Sequence, residues 1–198
     1  MNAFRIVSAF VVCTLLLSGC QSLRFGRPGP EGPADRAFSD LLVMVEDRLE
    51  LHYEGARLRW DGDRPEVYRE EIDPVLVLFE ARGFPPSRAR SFFSAQLQAG
   101  SIVQETAFNQ WEEQGLEGFD EVINFDHVLR PELQQTISRM EARLAAVEAG
   151  SLSMNYARHR LEETRQSMRE SEYIPDDAVE AALSPFRYSL RVWRSPQE

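Results

Sequence analysis

The sequence has no lysine: all 22 of its basic residues are arginine, against 32 acidic residues in a chain of 198. It has only two cysteines, Cys13 and Cys20, both within the first twenty residues. A disulfide framework or a thiolate metal site in the body of the chain is thereby excluded. Also missing are a Gly-rich phosphate loop, a nucleophile elbow and paired histidines with an acid at ligand spacing; His52, His127 and His159 are scattered. Covalent catalysis has no obvious residues to use, and no metal is expected. No stretch sustains period-two alternation of β-branched residues, so strands are not expected either.

What the chain does have begins with an export signal. A short basic start, Met1 to Arg5, precedes an apolar run from Ile6 to Leu17 that is too short and wrongly flanked for a transmembrane helix. Leu17-Ser18-Gly19-Cys20 then has the form of a lipobox. Residues 1–19 read as a lipoprotein signal peptide, with Cys20 as the lipidated first residue after cleavage. Gln21, rather than aspartate, follows the cysteine, which points to a periplasmic protein held at the outer membrane. Removing residues 1–19 takes away one arginine, Arg5, and leaves 21 basic against 32 acidic residues, a formal charge of −11. Nucleic acid is a poor partner for such a chain; a membrane, reached through the lipid, is the expected one.

Residues 20–36 run through Gly, Pro, Arg and Glu with almost no apolar pattern and read as a disordered tether. Residues 37–195 form one all-α domain of about six helices, since the length suits a single core. The first helix is expected over Arg36 to Trp60, and the second over Glu66 to Arg82, where Asp73-Pro74 marks either a kink or a fresh start. A third runs from Pro86-Ser87 to Trp111 with Phe93, Leu97, Phe108 and Trp111 on one face. The remaining three span Pro131 to Ala149, Ser151 to Ser171, and the chain from Pro175 onward.

Two arginines stand out. At about 100° per residue, Leu41, Val45, Leu49, His52 and Ala56 share one face of the first helix, and Arg48 and Arg59 project from within that apolar arc. Burying an unpaired charge costs several kcal/mol, so either acids on neighbouring helices neutralise them or a bound anion does. In the third helix Gln96, Gly100 and Gln104 follow at four-residue intervals on the inward side, and Gln104 needs a partner. Arg69-Glu70 sets a cation beside an acid, and Arg130 stands where a helix starts, adding its charge to the helix dipole. Singly, each has a structural reading: a snorkelling arginine, a buried amide, a surface ion pair. Together, four arginines and a glutamine from four helices suit a pocket for a compact molecule with more than one carboxylate.

In order and spacing, Asp47-Arg48-Leu49-Glu50, Gly83-Phe84-Pro85-Pro86, Phe92-Phe93, Gln96-Leu97, Gln104, Trp111 and Arg130 resemble the all-helical chorismate mutases, in particular their exported single-domain members. The resemblance covers about Phe38 to Leu144 and, more loosely, the last helix. It implies that Arg48, Arg69 and Arg130 grip the two carboxylates of chorismate. Arg59, where the family has lysine, would face the ether oxygen together with Gln104, and Glu70 would take the hydroxyl, with Asp73 a competitor for that role. Gly100 stands where the family often has a hydroxyl side chain on a carboxylate. The implied reaction, chorismate to prephenate, is unimolecular and needs no cofactor. A homodimer is compatible with this reading, although the whole site lies in one chain. Two rivals remain open: an inactive descendant that binds or scaffolds in the envelope, and a tethered bundle whose arginines pair with Glu46, Glu70 or Asp126 and leave no cavity.

Overall fold

The computed structural model describes residues 29–30, 32–60, 66–120 and 124–192, with side chains as far as residue 187. The signal segment, Cys20, most of the tether and residues 193–195 lie outside the described residues. Six α-helices follow one another: α1 (Pro33–Arg59), α2 (Asp73–Ala81), α3 (Pro86–Glu113), α4 (Arg130–Ala149), α5 (Met154–Glu170) and α6 (Asp176–Val192). A π-helical turn, Phe125–Leu129, runs directly into α4, and no strand occurs among the described residues.

The bundle is organised around α1, whose apolar stripe is wide enough to meet α3, α4 and α5. Phe38, Leu41, Leu42, Val45, Leu49 and Ala56 are completely buried, and α6 closes the bundle against α3. The Phe186 ring meets Phe38 edge-on at 5.4 Å and Phe92 at 5.5 Å, joining α6 to α1 and α3. α1 starts earlier than the sequence suggests, inside the stretch expected to be tether. Pro33 suits a first helical position, Ala34 is buried, and the Asp35 carboxylate accepts the Ser153 N–H at 2.8 Å.

Two helix endings are set by glycine. Gly83 has φ +87 and Gly115 φ +66. At the first, Phe84 N–H donates to the Phe79 carbonyl and Gly83 N–H to that of Glu80, with the Phe79 and Phe84 rings 5.2 Å apart. This is a Schellman ending with its hydrophobic contact. Gly115 and Leu116 repeat it at the end of α3, bonding to Glu112 and Trp111, and the Leu116 carbonyl accepts from the Trp60 indole at 2.9 Å.

Of the second expected helix the part from Asp73 forms, the fresh start that Asp73-Pro74 had left open against a kink. Residues 66–72 are not helical, and α2 starts only at Asp73. Pro74 explains this, because its ring would collide with the carbonyl four residues earlier, at Glu70, in a continuous helix. The non-helical backbone finds partners in two glutamine side chains. Gln104 accepts from Tyr68 N–H and donates to Tyr68 C=O, both at 2.9 Å. Gln134 does the same at Glu71, at 3.3 and 2.8 Å. An amide clamped on both polar groups of one residue reproduces strand pairing one residue at a time.

Replacing Phe38 with alanine removes the ring that joins α1 to α6. The expected loss is about 3–5 kcal/mol, read as a lower urea midpoint with an unchanged slope.

Candidate functional site

Arg48 is 0% exposed. Its Nη2 lies 2.7 Å from Glu70 Oε1, and its Nη1 donates to the Gln96 carbonyl at 2.8 Å. One turn further along α1, His52 presents Nε2 to the same Glu70 oxygen at 2.9 Å and Nδ1 to Gln104 Nε2 at 2.9 Å. Arg48, Glu70, His52 and Gln104 thus form one buried network between α1, α3 and the 66–72 segment. The inward polar strip of α3 divides its work: Gln96 ties α3 to α6 by donating to Ala182 C=O at 2.8 Å, whereas Gln104 holds Tyr68 and His52. Gly100 lies under the imidazole so closely that a Cβ there would stand 2.5 Å from His52 Nε2.

Outside this network a second group faces a cavity of about 600 Å³ lined by Arg59, Arg69 and Arg130 with Glu66, Val67, Tyr68 and Glu105. Arg59 stacks over Phe125 at 5.2 Å, and its Nη1 is buried with no hydrogen-bond partner among the described residues. Arg130 lies over the Tyr68 ring at 5.3 Å and pairs with Asp126 at 3.2 Å. Tyr68 belongs to both groups, lining the cavity while its backbone is held by Gln104.

The residues singled out in the sequence fall into these two groups, Arg48, Glu70, Gln104 and Gly100 in the buried network and Arg59, Arg69 and Arg130 at the cavity. The acids named for the structural reading do pair with two arginines, Glu70 with Arg48 and Asp126 with Arg130, while Glu46 accepts from Ser167 instead. That reading also required no cavity, and a cavity is present. Asp73 is exposed at the start of α2 and does not line it. Arg130 does not sit at an open helix N-terminus: its N–H donates to Phe125 C=O through the π-helical turn. The dipole end lies back at Asn124, whose side chain accepts from His127 N–H. His52 was read as part of the apolar stripe. The signal that could have singled it out is its position four residues after Arg48, on the same helix face.

Two solved structures resemble this one along nearly their whole length. A chorismate mutase from Burkholderia thailandensis is 22% identical with a TM-score of 0.59, covering 75% of this chain and 97% of that one. Another, from Burkholderia phymatum, is 20% identical with a TM-score of 0.62, covering 78% and 98%. The fold is that of the helical chorismate mutases. The sequence matches no family model and no curated protein, so the likeness lies in backbone architecture. The all-α, six-helix expectation is met in full.

Charge within this fold is arranged tightly. Burial alone would raise the Glu70 carboxyl, but Arg48 and then His52 outweigh it and hold the group at about 2. Burial lowers Arg48, against the pull of Glu70, whose carboxylate 2.7 Å away favours the charged guanidinium. Burial also lowers His52, helped by Arg48 and opposed by Glu70. Arg59 is lowered by desolvation, with Asp126 and Glu66 opposing.

The sign of the Glu70 contribution follows. A carboxyl depressed on folding adds stability that is complete above its unfolded value of about 4.3 and lost as the pH falls toward about 2. Glu70→Gln should flatten the pH dependence of urea unfolding in that window. At pH 7 it should cost about 3–5 kcal/mol, because Arg48 is left buried without its countercharge.

Proposed function

We propose that this chain is a chorismate mutase of the helical class, exported and held by lipid at Cys20 on the periplasmic side of the outer membrane. The observation that carries the catalytic part is the meeting of three arginines from separate segments, Arg59, Arg69 and Arg130, around one cavity of about 600 Å³. Arg48, Glu70 and Gln104 belong to the buried network that holds its Tyr68 wall. The anchor rests on the sequence Leu17-Ser18-Gly19-Cys20-Gln21. No described helix is long and apolar enough to cross a membrane.

The chemistry asks little of the protein beyond position and charge. In the rearrangement one C–O bond breaks while one C–C bond forms within the same molecule, and negative charge develops on the ether oxygen. Holding the compact conformer supplies the entropic part of the acceleration, and fixed cations and amide donors near that oxygen supply the electrostatic part. Arg69 and Arg130 take carboxylates at the mouth, and the buried, unpartnered Nη1 of Arg59 is the donor for the ether oxygen. Arg48 engages a carboxylate by exchanging it for Glu70, which then accepts the ligand hydroxyl. Gln104 joins only by giving up a partner, since its Nε2 has two hydrogens and already faces three acceptors, Tyr68 O, His52 Nδ1 and the Gly100 carbonyl at 3.3 Å. The last is the weakest, and an incoming oxygen competes with it.

A second reading, binding without turnover, is favoured by one feature. His52 fills the space over Gly100 and already occupies the Glu70 carboxylate, so partner exchange at Arg48 is opposed from two sides.

The test is incubation of the full-length chain with chorismate, following loss of its absorbance and appearance of prephenate. Turnover is expected, slowed about 10²-fold or more by Arg59→Ala, the loss of one oxyanion-type donor. Arg130→Ala should weaken binding by roughly one to two powers of ten, the worth of a hydrogen bond to a charged group. Chorismate bound but unchanged would establish the second reading. Neither binding nor turnover would refute both.

A further inference from the structure

His52 has no part in the reaction just described, yet it touches both of the uncharged and acidic groups the reaction would use. Its imidazole is 1% exposed and is bonded at both nitrogens, to Glu70 Oε1 and to Gln104 Nε2, each at 2.9 Å. The direction of these bonds is fixed by a third residue. Gln104 Oε1 accepts from Tyr68 N–H, and Gln104 Nε2 donates to Tyr68 C=O, so the amide cannot be turned over without losing both. The atom facing Nδ1 is therefore a donor, and Nδ1 must accept. That leaves the single ring proton on Nε2, donated to Glu70.

Gly100 is the other half of the arrangement. Glycine inside a long helix is unfavourable relative to alanine, and here the reason is close approach: a Cβ would meet Nε2 at 2.5 Å and the ring carbons Cδ2 and Cε1 at 2.7 Å. The charged groups facing the ring are Arg48 from its own helix and Glu70 from the 66–72 segment; α3 contributes only Gly100 and Gln104.

We propose that His52 is a positioning residue of the carboxylate site, working as one unit with Gly100. In its neutral form with the proton on Nε2, it stands in the space a side chain at residue 100 would take, orients Glu70 and Gln104 together, and denies that space to any ligand with bulk there. The proposal builds on the dicarboxylate reading of the site, but its geometric half stands independently. Protonation at Nδ1 would set two donors against each other and force Gln104 off Tyr68. Burial and Arg48 oppose such protonation, so the unit should hold through the mildly acidic range in which an exposed imidazole titrates.

The test uses the full-length chain throughout. Imidazole nitrogen NMR should show His52 protonated on Nε2, bare on Nδ1, and not titrating near pH 6.5; an Nδ1–H ring, or ordinary titration, overturns the proposal. Thermal unfolding of His52→Ala, Gly100→Ala and the double variant reads the pairing. Gly100→Ala should lower Tm, and His52→Ala should relieve that loss, so the double variant melts above the sum of the singles. Strict additivity contradicts the unit. With chorismate as probe, His52→Ala should weaken binding or slow turnover about tenfold, and His52→Gln, able to accept and donate at once, should recover part of it. An unchanged response in His52→Ala overturns the positioning role. If wild type neither binds nor converts chorismate, the dicarboxylate reading fails, while the tautomer and the Tm cycle still decide whether His52 and Gly100 form a unit.

Discussion

A guanidinium in the middle of an apolar helix stripe has to be neutralised, and nearly everything else about this molecule follows from how that is done. Arg48 is wholly inside, and its countercharge comes from Glu70, 22 residues away in sequence. For Glu70 to arrive there, residues 66–72 must leave the helical path, which Pro74 favours by removing a hydrogen bond and crowding the Glu70 carbonyl. The exposed backbone that results must then be satisfied, which Gln104 and Gln134 do. The same detour carries Arg69 and Tyr68 to the rim of the arginine cavity. One buried ion pair therefore organises both the inner network and the outer cavity. Such pairs specify an arrangement more surely than they stabilise it, in keeping with a site whose members come from distant parts of the chain.

Inner and outer groups have different chemical characters. Inside, every charge has an opposite neighbour, and the imidazole is held neutral between a carboxylate and an amide. Outside, three arginines face two acids, Glu66 and Glu105, across a cavity of about 600 Å³. Asp126, paired with Arg130 at 3.2 Å, makes the acids equal in number to the arginines, so the mouth is near balance in a chain whose overall formal charge is −10. Carboxylate capture is the chemistry it suits. Passing a carboxylate inward from there requires exchange of partners at Arg48, and the ease of that exchange separates a catalyst from a binding protein with the same fold.

The helices were legible in the sequence because their signals are local. Periodic apolar residues placed α1, α3 and α4, and α2 ended before Gly83 and α3 began at Pro86 as expected. Glu66 to Ile72 was misread because its non-helical state is decided by partners far along the chain: no local pattern says that Gln104 will grip Tyr68. The same limit applied to the site. Arg48, Arg59, Arg69, Glu70, Gln104 and Arg130 were each singled out, and the structure divides them between the buried network and the cavity. The allotment of Arg48 to Glu70, and of Gln104 to Tyr68 and His52, depends on three-dimensional proximity. Arg130 does begin α4 as expected, but the dipole contribution expected of it fails because the π-helical turn before it has no simple sequence signature. Gly100 was noticed for the side chain it lacks; its purpose, room for His52, becomes visible only with α1 and α3 packed together.

The most direct measurement is a double-mutant cycle on the buried pair, comparing urea unfolding of the wild-type chain, Arg48→Met, Glu70→Gln and the combined variant at pH 7. Each single change strands a buried polar partner, so the account predicts strong coupling, with the combined variant losing about 1–3 kcal/mol less than the sum of the singles. Additive losses would mean that Arg48 and Glu70 do not meet in the folded protein, and the arrangement derived from their meeting would not stand.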